Sequence, residues 1–317
     1  MGNEALDING MTNTVTTNNH ITRRGSDWYF AVCAVMAVSS LVFMGLSFTK
    51  TRSQRIFHYI TAAITMVAAI AYFSMGSNLG WTAIQVEFER SDPKVAGNMR
   101  QIFYVRYIDW FITTPLLLAD LLLTCGLPTP TILYVILANE VMVVTGLVGA
   151  LVKSSYKWGK SRKAASHVTG DNVNAMLGFF TFGTVAFLFV AYSVVIEGRA
   201  YARILGNDIL KTYTLCGVWT IFLWFLYPVA WGLSEGGNVI ASDSEAVFYG
   251  ILDLLAKPGF GALLLWGHRN IEVERLGIHI RDPETSFSHN AEKTPHPESY
   301  IANVNHQATD AVEPAHA

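Results

Sequence analysis

Residues 106–123 read RYIDWFITTPLLLADLLL, an arginine and two aspartates inside a run apolar enough to lie in a bilayer. A charge at the bilayer centre costs about 2.5–3.5 kcal/mol on insertion scales, so charged residues in such a run point to function. Asp109 and Asp120 stand eleven positions apart. On a helix that spacing leaves them about 20° apart in direction and about 16 Å apart along the axis, so both face one way at two depths. Arg106 and Thr113 sit one turn to either side of Asp109 on the same face. A second apolar run, ILDLLAKPGFG, carries Asp253 and Lys257 at i, i+4. A lysine at membrane depth is a functional residue by default, and a lysine amine condenses with carbonyl compounds to form Schiff bases. Two carboxylates, Asp109 and Asp253, are more than a simple pair with one buried cation needs. That excess suggests a cationic cofactor linkage; an ion pair that only fixes packing is the competing reading. In a third run, WFLYPVAW, Trp224, Tyr227 and Trp231 recur at i, i+3, i+7 and form one aromatic face. Such a face alone is more often lipid contact or core packing than a ligand wall; with Trp110 and Met142 it can close a flat apolar slot.

The elements that must carry these residues are membrane helices. The chain has 317 residues, 51% hydrophobic and 15% charged, against about 25% charged in a soluble domain. A large soluble helical core is the alternative, and the run lengths argue against it: about 20 apolar residues cross the hydrocarbon core. Seven segments qualify, at Trp28–Phe48, Ile56–Asn78, Ile102–Cys125, Thr131–Val152, Phe179–Ile196, Thr212–Leu233 and Glu245–Gly267. The sequence thus predicts an all-α membrane protein, a seven-helix bundle over residues 27–269, flanked by polar ends, 1–26 and 270–317, expected to be disordered. Basic residues favour the cytoplasmic side. Lys50, Arg52 and Arg55 in the first loop, Arg199, Arg203 and Lys211 in the fifth, and the acidic sixth loop put the N-terminus outside and the C-terminus in the cytoplasm. Arg23 and Arg24 run mildly against this orientation, and the five basic residues of Lys153–Lys163 more strongly.

Other classes find little support. The formal net charge of −2 gives no case for nucleic-acid binding. Cys33, Cys125 and Cys216 lie in apolar runs without metal-ligand spacing, so no metal centre and no disulfide framework is expected. The first 25 residues lack the apolar core of a cleavable signal, and MGNEAL departs from a myristoylation site at Leu6.

RYIDWFITTPLLLAD, LDLLAKPGFG and WFLYPVAW together closely resemble the microbial rhodopsins, the retinal-binding seven-helix proteins, and within them the fungal branch. The resemblance covers about residues 27–270. It implies that Lys257 binds all-trans-retinal as a protonated Schiff base. Asp109 matches the counterion and primary proton acceptor, Asp253 the second counterion, and Arg106 the arginine below the Schiff base. Tyr72 and Thr113 match hydrogen-bonding groups of that cluster. Asp120 matches the cytoplasmic proton donor, with Thr61 as its neighbour, and Glu235 and Glu245 match the external proton-release pair. Trp110, Thr114, Met142, Gly146, Trp224, Tyr227 and Trp231 match the retinal pocket. Asn139 departs from the family's aspartate and is followed by Glu140; this is a colour-tuning or packing position. Pro258, directly after the lysine, is a second departure, expected to bend the seventh helix.

The function implied is a light-driven outward proton pump, an ion transporter and photoreceptor rather than an enzyme, in the plasma membrane. Its partners are the lipid bilayer and protons, and the resemblance implies a homo-oligomer on which the residues themselves are silent. Asp120 lies among leucines, where desolvation favours the protonated form, so acceptor and donor are set apart by their surroundings. The alternative is a fungal sensory photoreceptor that signals through a partner with slow or no net transport. Asp109 argues against a chloride pump, since it supplies the anion that chloride would replace, and Lys257 argues against an opsin-like chaperone without retinal.

One stretch does not fit. Omitting Lys160–Gly178 from YKWGKSRKAASHVTGDNVNAMLGFFTFG leaves YKWGFFTFG, which matches the family's junction without a gap. Phe180, Gly183, Thr184 and Phe187 then fall on retinal-pocket positions. The omission also removes Lys160, Arg162 and Lys163, most of the conflict with the positive-inside pattern. Gly-Lys-Ser can be encoded with a splice donor and Met-Leu-Gly with an acceptor, so 160–178 reads as a retained in-frame intron in the external loop; a genuine family-specific loop is the competing reading. Sequencing the transcript decides this. The intron reading predicts a message without these nineteen codons, and a message that keeps them throughout contradicts it.

Overall fold

The computed structural model describes residues 3–10, 17–152, 178–278 and 280. The chain divides into two units, Met1–Ile278 and His279–Ala317; in the second, only Ile280 is described. The suspected insertion, apart from Gly178, lies outside the described residues, as do the basic residues of Lys153–Lys163.

A short helix α1 (Ala5–Gly10) precedes seven helices long and apolar enough to cross a membrane: α2 (Arg23–Ser47), α3 (Ile56–Gly76), α4 (Tyr104–Thr124), α5 (Thr129–Leu151), α6 (Phe179–Leu205), α7 (Asn207–Leu233) and α8 (Ser242–Asn270). The seven expected spans are present. Their edges differ most where the chain turns polar. α6 runs on from Ile196 through Glu197, Arg199 and Arg203 to Leu205, and α7 begins at Asn207 rather than Thr212. Hydropathy marks the hydrocarbon thickness, whereas long charged side chains let a helix continue into the headgroups. The two helices part only at Gly206, whose φ of +124° side-chain-bearing residues avoid.

α3, α4 and α8 are the most inward of the seven, about half of each buried, while most of α2, α5 and α6 faces outward. That asymmetry follows from composition. α4 carries Arg106, Asp109 and Asp120, and α8 carries Glu245, Asp253 and Lys257; all six are buried, as residues costly to show to lipid must be. Pro115 and Pro228 lie inside α4 and α7, tolerated where neighbouring helices satisfy freed carbonyls. Pro258 widens α8 into a π-turn over Leu255–Gly259, because proline lacks the N–H of a regular turn and its ring crowds the carbonyl four residues back. Lys257 sits within this turn, and such bulges collect at functional sites.

Two features of one end of the bundle escape hydropathy. The loop between α3 and α4 folds into an antiparallel hairpin, β1 (Thr82–Gln85) with β2 (Met99–Ile102), in which Ile84 faces Arg100. Strands this short, in a polar loop, carry no readable alternation. The segment before α2, expected to be disordered, is tied down instead. Asn19 and Ile21 are buried. Asn19 donates from Nδ2 to Asn238 Oδ1 at 3.1 Å, and its Oδ1 accepts from Ser242 N at 3.0 Å and Ser242 Oγ at 2.9 Å. Thr22 N and Oγ1 donate to the Asp243 carboxylate at 2.7 and 2.5 Å. At the other boundary, Ile271, Val273 and Leu276 join the core, so order extends past 270 to Ile278. Polar composition did not exclude order here because the contacts are hydrogen bonds to loops distant in sequence.

Asn19→Ala removes the acceptor of Ser242 N and Oγ and leaves these buried donors unpaired, at a cost of about 1–3 kcal/mol each, while Asn238 Oδ1 keeps its bond from Arg100. A lower midpoint of thermal unfolding is expected; an unchanged midpoint would show that this tie does not hold the end closed.

Candidate functional site

α8 brings Lys257 to the bundle axis, where α4 presents Asp109. Lys257 Nζ lies 2.6 Å from Asp109 Oδ2 and 3.2 Å from Asp253 Oδ1. Asp253 is held from two further helices: Tyr72 of α3 donates to Oδ2 and Tyr227 of α7 to Oδ1, both at 2.6 Å. Asp109 Oδ1 has no hydrogen-bond partner among the described residues. Thr113 stands in this cluster too: its hydroxyl donates to the Asp109 backbone carbonyl at 2.8 Å, the i−4 bond open to a helical threonine, and lies within reach of the Asp109 carboxyl.

From this amine a cavity opens between α4, α5, α6 and α7, with an empty volume of about 820 Å³ including its open side. Trp110, Thr114, Met142, Gly146, Phe180, Gly183, Thr184, Trp224, Tyr227 and Trp231 line it as expected, together with Tyr107, Leu117, Val143, Phe179, Pro228 and Ala256. Phe187 does not reach it and packs in the core cluster that contains Trp224. Among the described residues, the only charged ones in its lining are Lys257 and Asp253. Trp110 meets Tyr227 edge-on with centroids 5.3 Å apart, Phe180 and Trp231 lie 5.5 Å apart, and Trp231 Nε1 donates to Gly146 O at 3.2 Å. A side chain at Gly146 would project into open cavity, since only Tyr107 lies near its Cβ position. An apolar chamber with a buried amine at one end fits a carbonyl-bearing polyene bound to that amine. Asn139 stands beside the chamber and donates to Thr114 Oγ1 at 2.7 Å.

Toward the hairpin end, Arg106 does not reach the Asp109 carboxylate. Its Nη1 donates to Glu245 Oε1 at 2.6 Å and Glu235 Oε1 at 3.2 Å, and its Nη2 to the Tyr29 hydroxyl at 2.9 Å; the guanidinium also lies 4.2 Å from the Tyr249 ring centroid. Glu235 accepts further from Tyr107 at 3.3 Å, from Tyr249 at 3.2 Å and from Ser234 Oγ. The expected pair, Glu235 and Glu245, is therefore assembled, but unequally. Arg100 Nη2 donates to Glu245 Oε2 at 2.6 Å, and its Nη1 bonds Asn238 Oδ1 and Ile240 O at 2.9 and 2.8 Å. Glu245 thus lies between two guanidiniums. Glu235, in the loop after α7, has its carboxyl raised above the usual range by burial first and by the neighbouring Glu245 charge second, against the opposing pull of Arg106. Sequence reasoning missed Arg100 because it precedes the apolar run of α4. Its signal was the spacing to Arg106, two arginines six residues apart at one helix entrance.

Toward the other end, Asp120 is fully buried and receives one side-chain bond, from Thr61 Oγ1 to Oδ2 at 3.1 Å, as expected. Leu117, Leu118, Leu121 and Leu122 of the same helix are buried with it.

The chain matches the family model described as bacteriorhodopsin-like protein over residues 25–271 and belongs to that family; it is a multi-pass integral membrane protein. It is 59% identical over 281 residues to opsin-like protein carO of Fusarium fujikuroi, covering 88% of this chain and 85% of that one. Among solved structures it is similar to the light-driven proton pump LR (Mac) of Leptosphaeria maculans, with a TM-score of 0.70 and 32% identity over 81% of this chain and 100% of that one. It is also similar to the light-driven proton pump rhodopsin CsR of Coccomyxa subellipsoidea, with a TM-score of 0.68 and 34% identity over 79% and 99%.

Arg100→Gln removes one side of a buried ion pair and is expected to destabilise the protein by about 3–5 kcal/mol. A thermal midpoint equal to that of the unaltered protein would mean that Glu245 does not depend on Arg100.

Proposed function

We propose that this protein is a light-driven outward proton pump that carries all-trans-retinal as a protonated Schiff base on Lys257. The observation that carries the reading is the placement of three carboxyls along one axis: Asp109 2.6 Å from Lys257 Nζ, Asp253 3.2 Å from it, and Asp120 buried apart on the helix of Asp109. Membership of the bacteriorhodopsin-like family supports it, as does likeness to two solved structures described as light-driven proton pumps. Retinal, when bound, supplies absorption of light and a photoisomerisation that changes the surroundings of the Lys257 nitrogen.

The chain's own residues supply the rest. Trp110, Trp224, Tyr227 and Trp231, with Met142 and Phe180, hold the chromophore and exclude water from the amine. Asp109 Oδ2 lies within hydrogen-bond reach of the proton held at Lys257 Nζ and accepts it. Asp253, fixed by two tyrosine hydroxyls, keeps a negative charge beside Lys257 throughout. Asp120, desolvated among leucines, holds a proton in the dark and delivers it to Lys257 Nζ from the opposite side. Toward the hairpin end, Arg106 holds Glu235 and Glu245 together, and a proton leaves from Glu235. The basic loops, with Lys50, Arg52 and Arg55 after α2 and Arg199 and Arg203 at the end of α6, mark the end away from the hairpin as cytoplasmic. Transport then runs outward through the hairpin end, across the plasma membrane.

Cells that express the protein with retinal should acidify an unbuffered medium on illumination, and an uncoupler should abolish the signal. A visible pigment without acidification would favour the sensory reading over the pump. Lys257→Ala should yield no visible pigment. Asp109→Asn should shift the colour to the red and stop transport. Asp120→Asn should leave the dark spectrum in place and slow recovery after a flash by about 10²-fold or more, the scale of losing a positioned proton-transfer group. Normal recovery in Asp120→Asn would remove it from the path.

A further inference from the structure

Beyond Asp120, toward the end of the bundle opposite the hairpin, three helices bring together groups that the function above does not use. His268, near the end of α8, is buried and stacked on Phe57 of α3, with ring centroids 4.3 Å apart and planes 19° apart. Its Nδ1 lies 2.9 Å from Leu264 O, and its Nε2 lies 3.2 Å from Thr124 Oγ1, one turn past Asp120 on α4. Thr124 Oγ1 in turn lies 2.7 Å from the Asp120 backbone carbonyl. His58 is buried one turn from Thr61, the residue that bonds the Asp120 carboxyl. His58 directly follows Phe57 on α3, the ring on which His268 stacks. His58 Nδ1 and Asp120 Oδ1 both lack a hydrogen-bond partner among the described residues.

Counting hydrogens along this chain shows what it is built for. The Leu264 carbonyl only accepts, so Nδ1 of His268 carries a hydrogen. With His268 neutral, Nε2 is then a lone pair, and the single hydrogen of Thr124 must choose between Nε2 and the Asp120 carbonyl. With a second proton on His268, both contacts are satisfied at once: Nε2–H donates to Thr124 Oγ1, and Thr124 O–H donates to the Asp120 carbonyl. The arrangement therefore has a place for one extra proton, next to the residue that must be refilled. A buried imidazolium is costly to keep, so that proton is held briefly and passed on.

We propose that His268, with His58 beside it, is the proton-uptake site through which Asp120 is refilled. This rests on the reading of Asp120 as the internal donor. A proton from water at that end binds Nε2 of His268. When Asp120 has become a carboxylate, the Nε2–H bond breaks and an O–H bond forms on Asp120, the proton being carried across by water, and His268 returns to neutral. Thr124 positions the imidazole against α4, and Phe57 holds its plane.

The experiment is flash-induced recovery of visible absorption in the full chain reconstituted with retinal, at neutral pH, with and without azide as a small diffusible weak acid. His268→Gln should keep the dark spectrum but slow recovery roughly ten- to a hundredfold, at or below the range for losing a positioned proton-transfer group. Azide should restore the rate, because it delivers protons without the imidazole. The double variant with Asp120→Asn should be no slower than Asp120→Asn alone. Recovery at the unaltered rate overturns the proposal. Slow recovery that azide leaves slow also overturns it, since the supply of protons would not be limiting. If His268→Gln forms no pigment, Thr124→Val is read by the same criteria. Asp120→Asn alone separates the two readings: if it recovers normally, the donor reading fails; if it is slow while His268→Gln is not, only the uptake site fails.

Discussion

One buried lysine sets the terms for the rest of the molecule. Lys257 lies on the bundle axis with two carboxylates within 3.2 Å, and a buried cation without such partners costs several kcal/mol. Two carboxylates against one amine leave an excess of negative charge. The column restores balance further along, where Arg106 and Arg100 meet Glu245 and Glu235. Counting Lys257, Arg106 and Arg100 against Asp109, Asp253 and Glu245, the column is neutral when Glu235 and Asp120 each hold a proton. Those two carboxyls are the ones to which the proposed cycle assigns a mobile proton. Moving a proton from Lys257 to Asp109 removes one charge of each sign and keeps the sum at zero.

The fold can be understood as what this column requires. α4 and α8 carry most of its charges and are buried to match. α3 and α7 each lend a tyrosine to Asp253, and α5 and α6 close the apolar chamber on the far side of the amine. The π-turn at Leu255–Gly259 places Lys257 where a regular turn would have been disrupted by Pro258 in any case. At the hairpin end, Arg100 joins the column to β2 and to the loop after α7, so the two-stranded hairpin is part of the charge network as well as a cover.

Much of this is legible in the sequence because both signals are periodic. Seven apolar runs of membrane length correspond to seven helices, and the 3.6-residue repeat by itself puts Asp109 and Asp120 on one face. The aromatic spacing of Trp224, Tyr227 and Trp231 gives one face, and it is the resemblance, not the spacing, that assigns this face to a chamber wall. What is not legible depends on contacts between segments far apart in sequence. Arg100 reads as an ordinary loop arginine until β2 turns it inward. Asn19 reads as part of a polar tail until its amide meets Asn238 and Ser242. Thr113 falls on the correct face, but its hydroxyl has two acceptors in reach, and spacing cannot choose between a carboxylate and a carbonyl. Phe187 falls on the right helix yet packs away from the chamber.

In the proposed cycle the proton leaves Lys257 for Asp109 and comes back from Asp120. Time-resolved infrared difference spectroscopy of the carboxyl stretch tests it most directly. The proposed cycle gives a new protonated-carboxyl band after the flash that Asp109→Asn abolishes, followed by loss of a second band that is present in the dark and absent from Asp120→Asn. A cycle in which no carboxyl gains a proton at Asp109, or in which the Asp120 band never changes, would contradict it.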